Sequence, residues 1–189
     1  MLENLQQSQK IIILDRDGVI NHDSDAFIKS PAEWKPIEGS LEAIAQLSSA
    51  GFSVFIITNQ SGIARGLFSQ EVLDAIHHKM ISQTESVGGK IKGIYFCPHG
   101  PDEQCDCRKP KSGMYAQLAE EHNVSFENSY SIGDSLRDLE AATDAGAEPV
   151  LVLTGKGIKT QQLLSTPQHP LHNTNTFANL SAFVQELLN

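Results

Sequence analysis

The chain alternates short apolar runs with amphipathic stretches, and each of the first four apolar runs stops abruptly in a polar cluster. Lys10 to Leu14 (KIIIL) has the β-branched composition of a buried parallel strand and ends in DRDG. Gly39-Ser40 opens a helical stretch with Ser40 as the expected N-cap, Leu41, Ile44, Ala45 and Leu47 on one face, and Gly51 as its stop. Phe52 to Ile57 reads as a second strand, ending in TNQSG. From Ser69, the residues Val72, Leu73, Ile76, Met80, Ile81 and Val87 recur at helical spacing until Gly88-Gly89, after which Ile91 to Phe96 predicts a third strand. Met114, Leu118 and Ala119 predict a helix, Ser129 to Ile132 a strand, Leu136 to Ala145 a helix, and Pro149 to Leu153 a fifth strand. Gly157 to Thr176 is polar and broken by Pro, which predicts a long loop before an apolar tail helix at Leu180 to Leu188.

This alternation predicts an α/β fold, a three-layer Rossmann-like parallel sheet with helices on both faces and right-handed crossovers. Ligands of such sheets bind beyond the carboxyl ends of the strands, where strand order reverses. DRDG, TNQSG, CPHG and GDS all fall at predicted strand ends, so they are expected to meet in one site. The intervals from Asp17 to Thr58 and from Thr58 to Lys109 leave no room for a separate cap domain beyond one helix and one strand. With 189 residues and no internal repeat, a single domain over residues 1–189 is expected.

Apolar residues at 40% and charged residues at 20% match an ordinary globular chain. The opening MLENLQQSQK carries no apolar signal region, and no run approaches the roughly 18 apolar residues of a membrane span. A cytoplasmic protein with no membrane partner is expected. The net charge of −9 opposes nucleic-acid binding, which needs Lys and Arg against phosphates. It also requires any phosphate site here to draw on a bound cation and a few placed donors.

Asp15-Arg16-Asp17-Gly18 places two carboxylates two residues apart, so an extended strand end points both to one side. A hard cation such as Mg²⁺, held by Asp15, Asp17 and Asp134, would relieve their repulsion. The chemistry that fits is phosphoryl transfer to a carboxylate, with Asp15 as nucleophile and Asp17 as acid and base. Thr58 and Lys109 would stabilise the charge on the transferring group, and Asp138 would orient Lys109, bind a metal water, or be a plain helix-surface residue. Cys97, His99, Cys105 and Cys107 form a Cys₃His set, the composition of a closed structural Zn²⁺ site. An odd number of clustered cysteines argues against disulfides. Zn²⁺ there would pin the loop that leads into Arg108 and Lys109.

Four ordered motifs, ILDRDG, IITNQ, the lysine of RKP, and SIGDSLRD, resemble the haloacid dehalogenase (HAD) phosphatases, over roughly residues 10 to 155. TNQSGIARG, CPHG, CDCRKP and GDSLRDLEAA together place the likeness in a histidinol-phosphatase-like subgroup acting on small phosphate esters. The resemblance implies a HAD-like fold, Mg²⁺ and Zn²⁺ as cofactors, a small-molecule sugar phosphate as partner, and a monomer. It also implies substrate contacts at Asp23, Ser24, Asp25 and Ala26, at Thr58, Asn59, Gln60 and Ser61, and at Arg108 and Lys109. Ser135 stands where some members carry Lys, and only Gly100 to Gln104 separate His99 from Cys105. A zinc-stabilised binding module without turnover, and a phosphotransferase, are the alternatives. Other polar residues read blandly: His77 and His78 as a solvated helix face, His169 and His172 as loop residues, Trp34 as packing or as part of the substrate entrance. Arg65 reads as either a phosphate contact or an exposed charge.

Overall fold

A computed structural model describes residues 10–189; the reading of residues 1–9 as lacking an apolar signal lies outside the described residues. Among the described residues, six strands form one parallel sheet: β1 (Ile11–Leu14), β2 (Ser53–Asn59), β3 (Ile91–Cys97), β4 (Tyr130–Gly133), β5 (Glu148–Val152) and β6 (Asn175–Phe177). The helices are α1 (Ser40–Ser49), α2 (Gln70–Ser86), α3 (Gly113–His122), α4 (Leu136–Asp144), α5 (Gly157–Leu164) and α6 (Leu180–Leu188).

Strand order is β3-β2-β1-β4-β5-β6, so the chain reverses direction across the sheet between β1 and β4. The register Ile12 to Tyr130, Ile13 to Ser131 and Leu14 to Ile132 sets the ends of these two strands side by side. A bond from the Asp15 N–H to the Ile132 carbonyl (2.9 Å) continues that pairing into the polar cluster.

The unbroken apolar run of β1 follows from burial on both faces. Ile12 and Leu14 pack with Leu41, Ile44 and Leu47 of α1 and Phe183 and Val184 of α6, while Ile11 and Ile13 pack with Met114, Tyr115 and Leu118 of α3. Each of these four side chains is at most 1% exposed, worth roughly 1.5–3 kcal/mol apiece. The central strand, and with it the position of Asp15, is thereby held rigidly. No helix or strand lies within residues 98–112, and residues 15–39 carry only isolated bridges, so no separate cap domain covers the strand ends.

Three sequence readings change. Ser40 does not cap α1; Gly39 holds that place, and the Ser40 hydroxyl donates to the buried Ile20 carbonyl (2.6 Å), tying α1 to the loop after β1. The segment Gly157 to Thr176 contains α5 and leads into β6 rather than being one long loop. α5 exposes most of its polar face and packs through Gly157, Thr160 and Leu164, and β6 exists because the free edge of β5 supplies partners for three residues. His77 is 7% exposed rather than solvated, because it lies on the buried face of α2 with Leu73, Ile76, Met80 and Thr84. Trp34 is fully buried, so packing is its role, and its indole N–H donates to Asn21 Oδ1 (2.9 Å). No helix of the described residues is long and apolar enough to cross a membrane.

Candidate active site

The strand ends converge on one open cleft of about 230 Å³, lined by residues of the β1, β2, β4 and β5 ends and the Arg108-Lys109 loop. That is less than the roughly 300–1,000 Å³ of an enclosing ligand pocket, so most of a bulky ligand would lie in its mouth. Asp23, Ser24, Asp25, Thr58, Asn59, Gln60, Ser61, Arg108 and Lys109 all line it, whereas Ala26 faces the adjoining groove. Six carboxylates (Asp15, Asp17, Asp23, Asp25, Asp134, Asp138) meet six cations (Arg16, Arg65, Arg108, Lys109, Arg137, Lys156) there. An acidic chain thus has a charge-balanced cleft that one divalent ion would make positive.

At its floor the Lys109 ammonium meets Asp138 Oδ1 (2.7 Å), Asp15 Oδ1 (2.9 Å) and the Ile57 carbonyl (2.7 Å). All three of its donors are used, and Lys109 is 3% exposed. Burial works against its charge, but Asp138 and Asp15 outweigh that and keep it protonated. Asn59 fixes the lysine's backbone from both sides, donating to the Lys109 carbonyl and accepting from its N–H (both 3.1 Å).

Asp15, Asp134 and Asp138 can each bring one carboxylate oxygen within 4.8 Å of the others. At an effective dielectric near 20, each bare pair at that range repels by roughly 3–4 kcal/mol. Burial, with Asp138 and Asp17 nearby, pushes Asp15 up to about 6 despite Lys109. Burial, Asp138 and Asp15 push Asp134 up to about 8. Three carboxylates against one ammonium leave a deficit of two charges, which a hard divalent cation fits. Asp138 itself stays ionised, since Lys109 and the Ser135 hydroxyl outweigh its burial. Asp134 sits in a slot with no room for side chains: a Cβ on Gly18 or on Gly155 would stand 2.1 Å from its Oδ2. The Lys156 N–H donates to that same oxygen (2.7 Å).

The sequence grouped Asp17 with Asp15 and Asp134; the structure places Asp138 in that trio and turns the Asp17 carboxylate to other partners. Arg16 Nη2 donates to both its oxygens (3.0 and 2.8 Å), Asn21 Nδ2 to Oδ1 (2.9 Å) and Gln60 Nε2 to Oδ2 (2.8 Å). Burial alone would raise its pKa, but these donors, Arg16 foremost, hold it below the usual carboxylate range. Asp138 is 4% exposed and therefore no surface residue.

The second cluster is the Cys97, His99, Cys105 and Cys107 group. Sγ of Cys97 is 3.6 Å from His99 Nδ1, 3.6 Å from Cys105 Sγ and 3.2 Å from Cys107 Sγ, and His99 Nδ1 is 3.2 Å from Cys107 Sγ. These are far from the ~2.05 Å of a disulfide and near the edges of a tetrahedron with metal–sulfur bonds of about 2.3 Å. The His99 carbonyl accepts from Arg108 Nη1 (3.1 Å), which links this loop to the mouth of the cleft.

Arg16, Arg137 and Lys156 were not singled out by sequence. Lys156 could have been, since Thr154-Gly155-Lys156 follows the fifth strand just as the other clusters follow theirs. Its ammonium pairs with Asp23 (2.9 Å) across the cleft. Arg65 is exposed and lines the cleft, with its guanidinium 5.8 Å from the Phe27 ring centre. His169 and His172 stay within one turn and join no metal-ligand cluster among the described residues.

Comparison with known proteins agrees with this geometry. A family model described as HAD-hyrolase-like matches residues 106–180. A D-glycero-beta-D-manno-heptose-1,7-bisphosphate 7-phosphatase of Pseudomonas putida is 51% identical over 95% of this chain and 99% of its own. One of Neisseria meningitidis is 48% identical over 95% of both chains. The crystal structure of D,D-heptose 1,7-bisphosphate phosphatase from B. bronchiseptica, complexed with magnesium and phosphate, superposes with a TM-score of 0.90 at 49% identity, covering 95% of this chain and 98% of that one. With its carboxylate cluster at the reversal of a Rossmann-ordered sheet and half its residues shared along nearly its whole length, the chain belongs to the D-glycero-beta-D-manno-heptose-1,7-bisphosphate 7-phosphatase family of HAD-like hydrolases.

Proposed function

We propose that this chain hydrolyses the 7-phosphate of D-glycero-D-manno-heptose 1,7-bisphosphate, with the β anomer favoured, as a cytoplasmic monomer of bacterial heptose synthesis. The observation that carries the reading is Asp15, held by Lys109 at the sheet's reversal beside Asp134 and Asp138, in a chain about half identical to curated phosphatases of that name. Asp15 Oδ attacks phosphorus, the bond to the sugar oxygen breaks, and Asp17, which must first take a proton from solvent against the donors that hold it ionised, supplies the proton that the departing alkoxide takes up. Water then attacks the aspartyl-phosphate, its proton passes to Asp17, and the Asp15 carboxylate is released. Thr58 and Lys109 line the cleft beside Asp15, where the Thr58 hydroxyl would donate to the transferring group and the Lys109 charge would offset its negative charge. Mg²⁺ would be held by the Asp15 and Asp134 carboxylates and supplies charge neutralisation. Arg108, with its planar fork, takes the distal phosphate in the mouth. The deciding assay is phosphate release from the α and β bisphosphates beside histidinol phosphate. Faster turnover of histidinol phosphate overturns the substrate assignment.

The Mg²⁺ reading predicts a pH dependence. Asp134 near 8 and Asp15 near 6 hold protons that the cation must displace. Affinity therefore rises with pH, by about tenfold per unit between 6 and 8 for a single displaced proton, and levels off above. Calorimetric titration of Mg²⁺ across that range, in buffers of differing ionisation heat, measures both the slope and the proton released.

Zn²⁺ fits the Cys97, His99, Cys105, Cys107 set, whose donor chemistry is that of a closed structural site. Burial and neighbouring thiols push Cys97 up to about 12, so a cation is what would hold it as a thiolate. Cys105→Ser is expected to lose the bound zinc and to raise KM about tenfold, the loss of one charge-assisted contact, while kcat changes less. Arg108 depends on the His99 carbonyl, whereas Lys109 is anchored independently by Asn59. Zinc content by mass spectrometry and steady-state kinetics on the same samples test this.

A further inference from the structure

Arg16 stands between the two carboxylates in sequence, and its side chain lines the cleft yet is only 1% exposed. A buried guanidinium needs partners for all its donors. Nε and Nη2 are taken by Asp17, and Nη2 also reaches Gln60 Oε1 (3.2 Å). The partner of Nη1 is His77 Nε2, across 3.4 Å from α2. Because arginine only donates, the histidine must present a lone pair there and carry its proton on Nδ1. Burial and the adjacent Arg16 charge depress His77 to about 3, so the ring stays neutral at any working pH. Phe96 of β3 meets the ring edge-on, with centroids 6.0 Å apart, and fixes its plane.

A planar guanidinium with one edge held by His77 must turn its other edge to Asp17. Gln60 completes the fit, since its amide nitrogen reaches both Asp17 Oδ2 (2.8 Å) and Thr58 Oγ1 (3.0 Å). We propose that His77 is a positioning residue for the reaction, acting through Arg16 to hold the Asp17 carboxylate where it exchanges a proton with the leaving oxygen. This rests on the reading of Asp17 as the acid. A merely structural histidine would satisfy Arg16 and affect every substrate alike.

The test separates leaving groups. A sugar alkoxide must be protonated as the phosphorus–oxygen bond breaks, whereas p-nitrophenolate leaves as a stable anion. First-turnover release of each is followed with the heptose bisphosphate and with p-nitrophenyl phosphate. His77→Leu removes the acceptor at similar volume. It is expected to slow heptose phosphate release about tenfold, part of the 10²–10⁴-fold due to a placed acid, and to change p-nitrophenolate release less than about twofold. His77→Gln, whose amide oxygen can accept from Nη1, should recover most of the loss. His77→Phe, able to pack on Phe96, carries the same prediction where leucine prevents folding. Equal losses on both substrates, wild-type rates on both, or no recovery with glutamine overturns the proposal. Asp17→Asn is run alongside. If it shows no selective loss on the sugar ester, the reading of Asp17 fails and the inference with it. If Asp17→Asn is selective and His77→Leu is not, the inference alone fails.

Discussion

Asp15→Asn is expected to cut phosphate release by at least about 10⁴-fold, the scale seen when a covalent nucleophile is removed, while the protein stays folded. The two halves of this expectation have separate causes. An amide oxygen does not displace an alkoxide from phosphorus. Stability should hold or rise slightly without Mg²⁺, because burial and the neighbouring carboxylates already disfavour charge on Asp15. Lys109 loses one partner but keeps Asp138 and the Ile57 carbonyl. Single-turnover phosphate release, with thermal unfolding on the same sample, reads both. Retained turnover would remove Asp15 from the reaction, and so would a fluoride mimic of phosphate that binds away from it.

Lys109→Met should harm both stability and turnover. The ammonium satisfies two buried carboxylates and a carbonyl at once. Removing one partner of such a buried pair costs about 3–5 kcal/mol, because the remaining charge is left uncompensated. For a chain of this size that lowers the melting temperature by roughly 10 °C. Turnover should fall roughly 10²–10³-fold, since a charge aimed at the transferring group is gone. Lys109→Arg is not expected to rescue, because a planar fork does not reproduce three donors converging from one nitrogen. Adding Asp138→Asn to Lys109→Met should restore part of the stability and none of the rate. A double variant as unstable as the single one would show that the Lys109–Asp138 pair does not carry the effect.

These predictions depend on a floor that is connected below the surface. The two carboxylates of DRDG are fixed by different elements: Asp15 by the lysine that Asn59 clamps, Asp17 by Arg16, Asn21 and Gln60. Asn21 is in turn held by the indole of Trp34. Asn59 and Gln60, neighbours at the end of β2, thus serve opposite sides of the cleft.

The sequence by itself settled the first five strands, because their apolar runs, too short for a helix of the core, fit the interior of a parallel sheet. It also settled which clusters would meet, since strands of one direction must end on one side. The tail helix over Leu180–Leu188 was legible from its apolar positions alone. α5 and β6 were not, because few of their residues are apolar and their stability comes from the edge of β5 rather than from any local preference. Spacing could pair Asp15 with Asp17 along the chain. Only the packing of α4 against β4 decided that Asp138 joins Asp15 and Asp134, and only two glycines from distant loops made room for Asp134. His77 illustrates the division most clearly: the sequence read it as part of a solvated helix face, and only the assembled structure shows it buried against a partner 61 residues away in sequence. Local pattern determines which face a residue takes, whereas a hydrogen bond between distant elements exists only once the sheet has assembled.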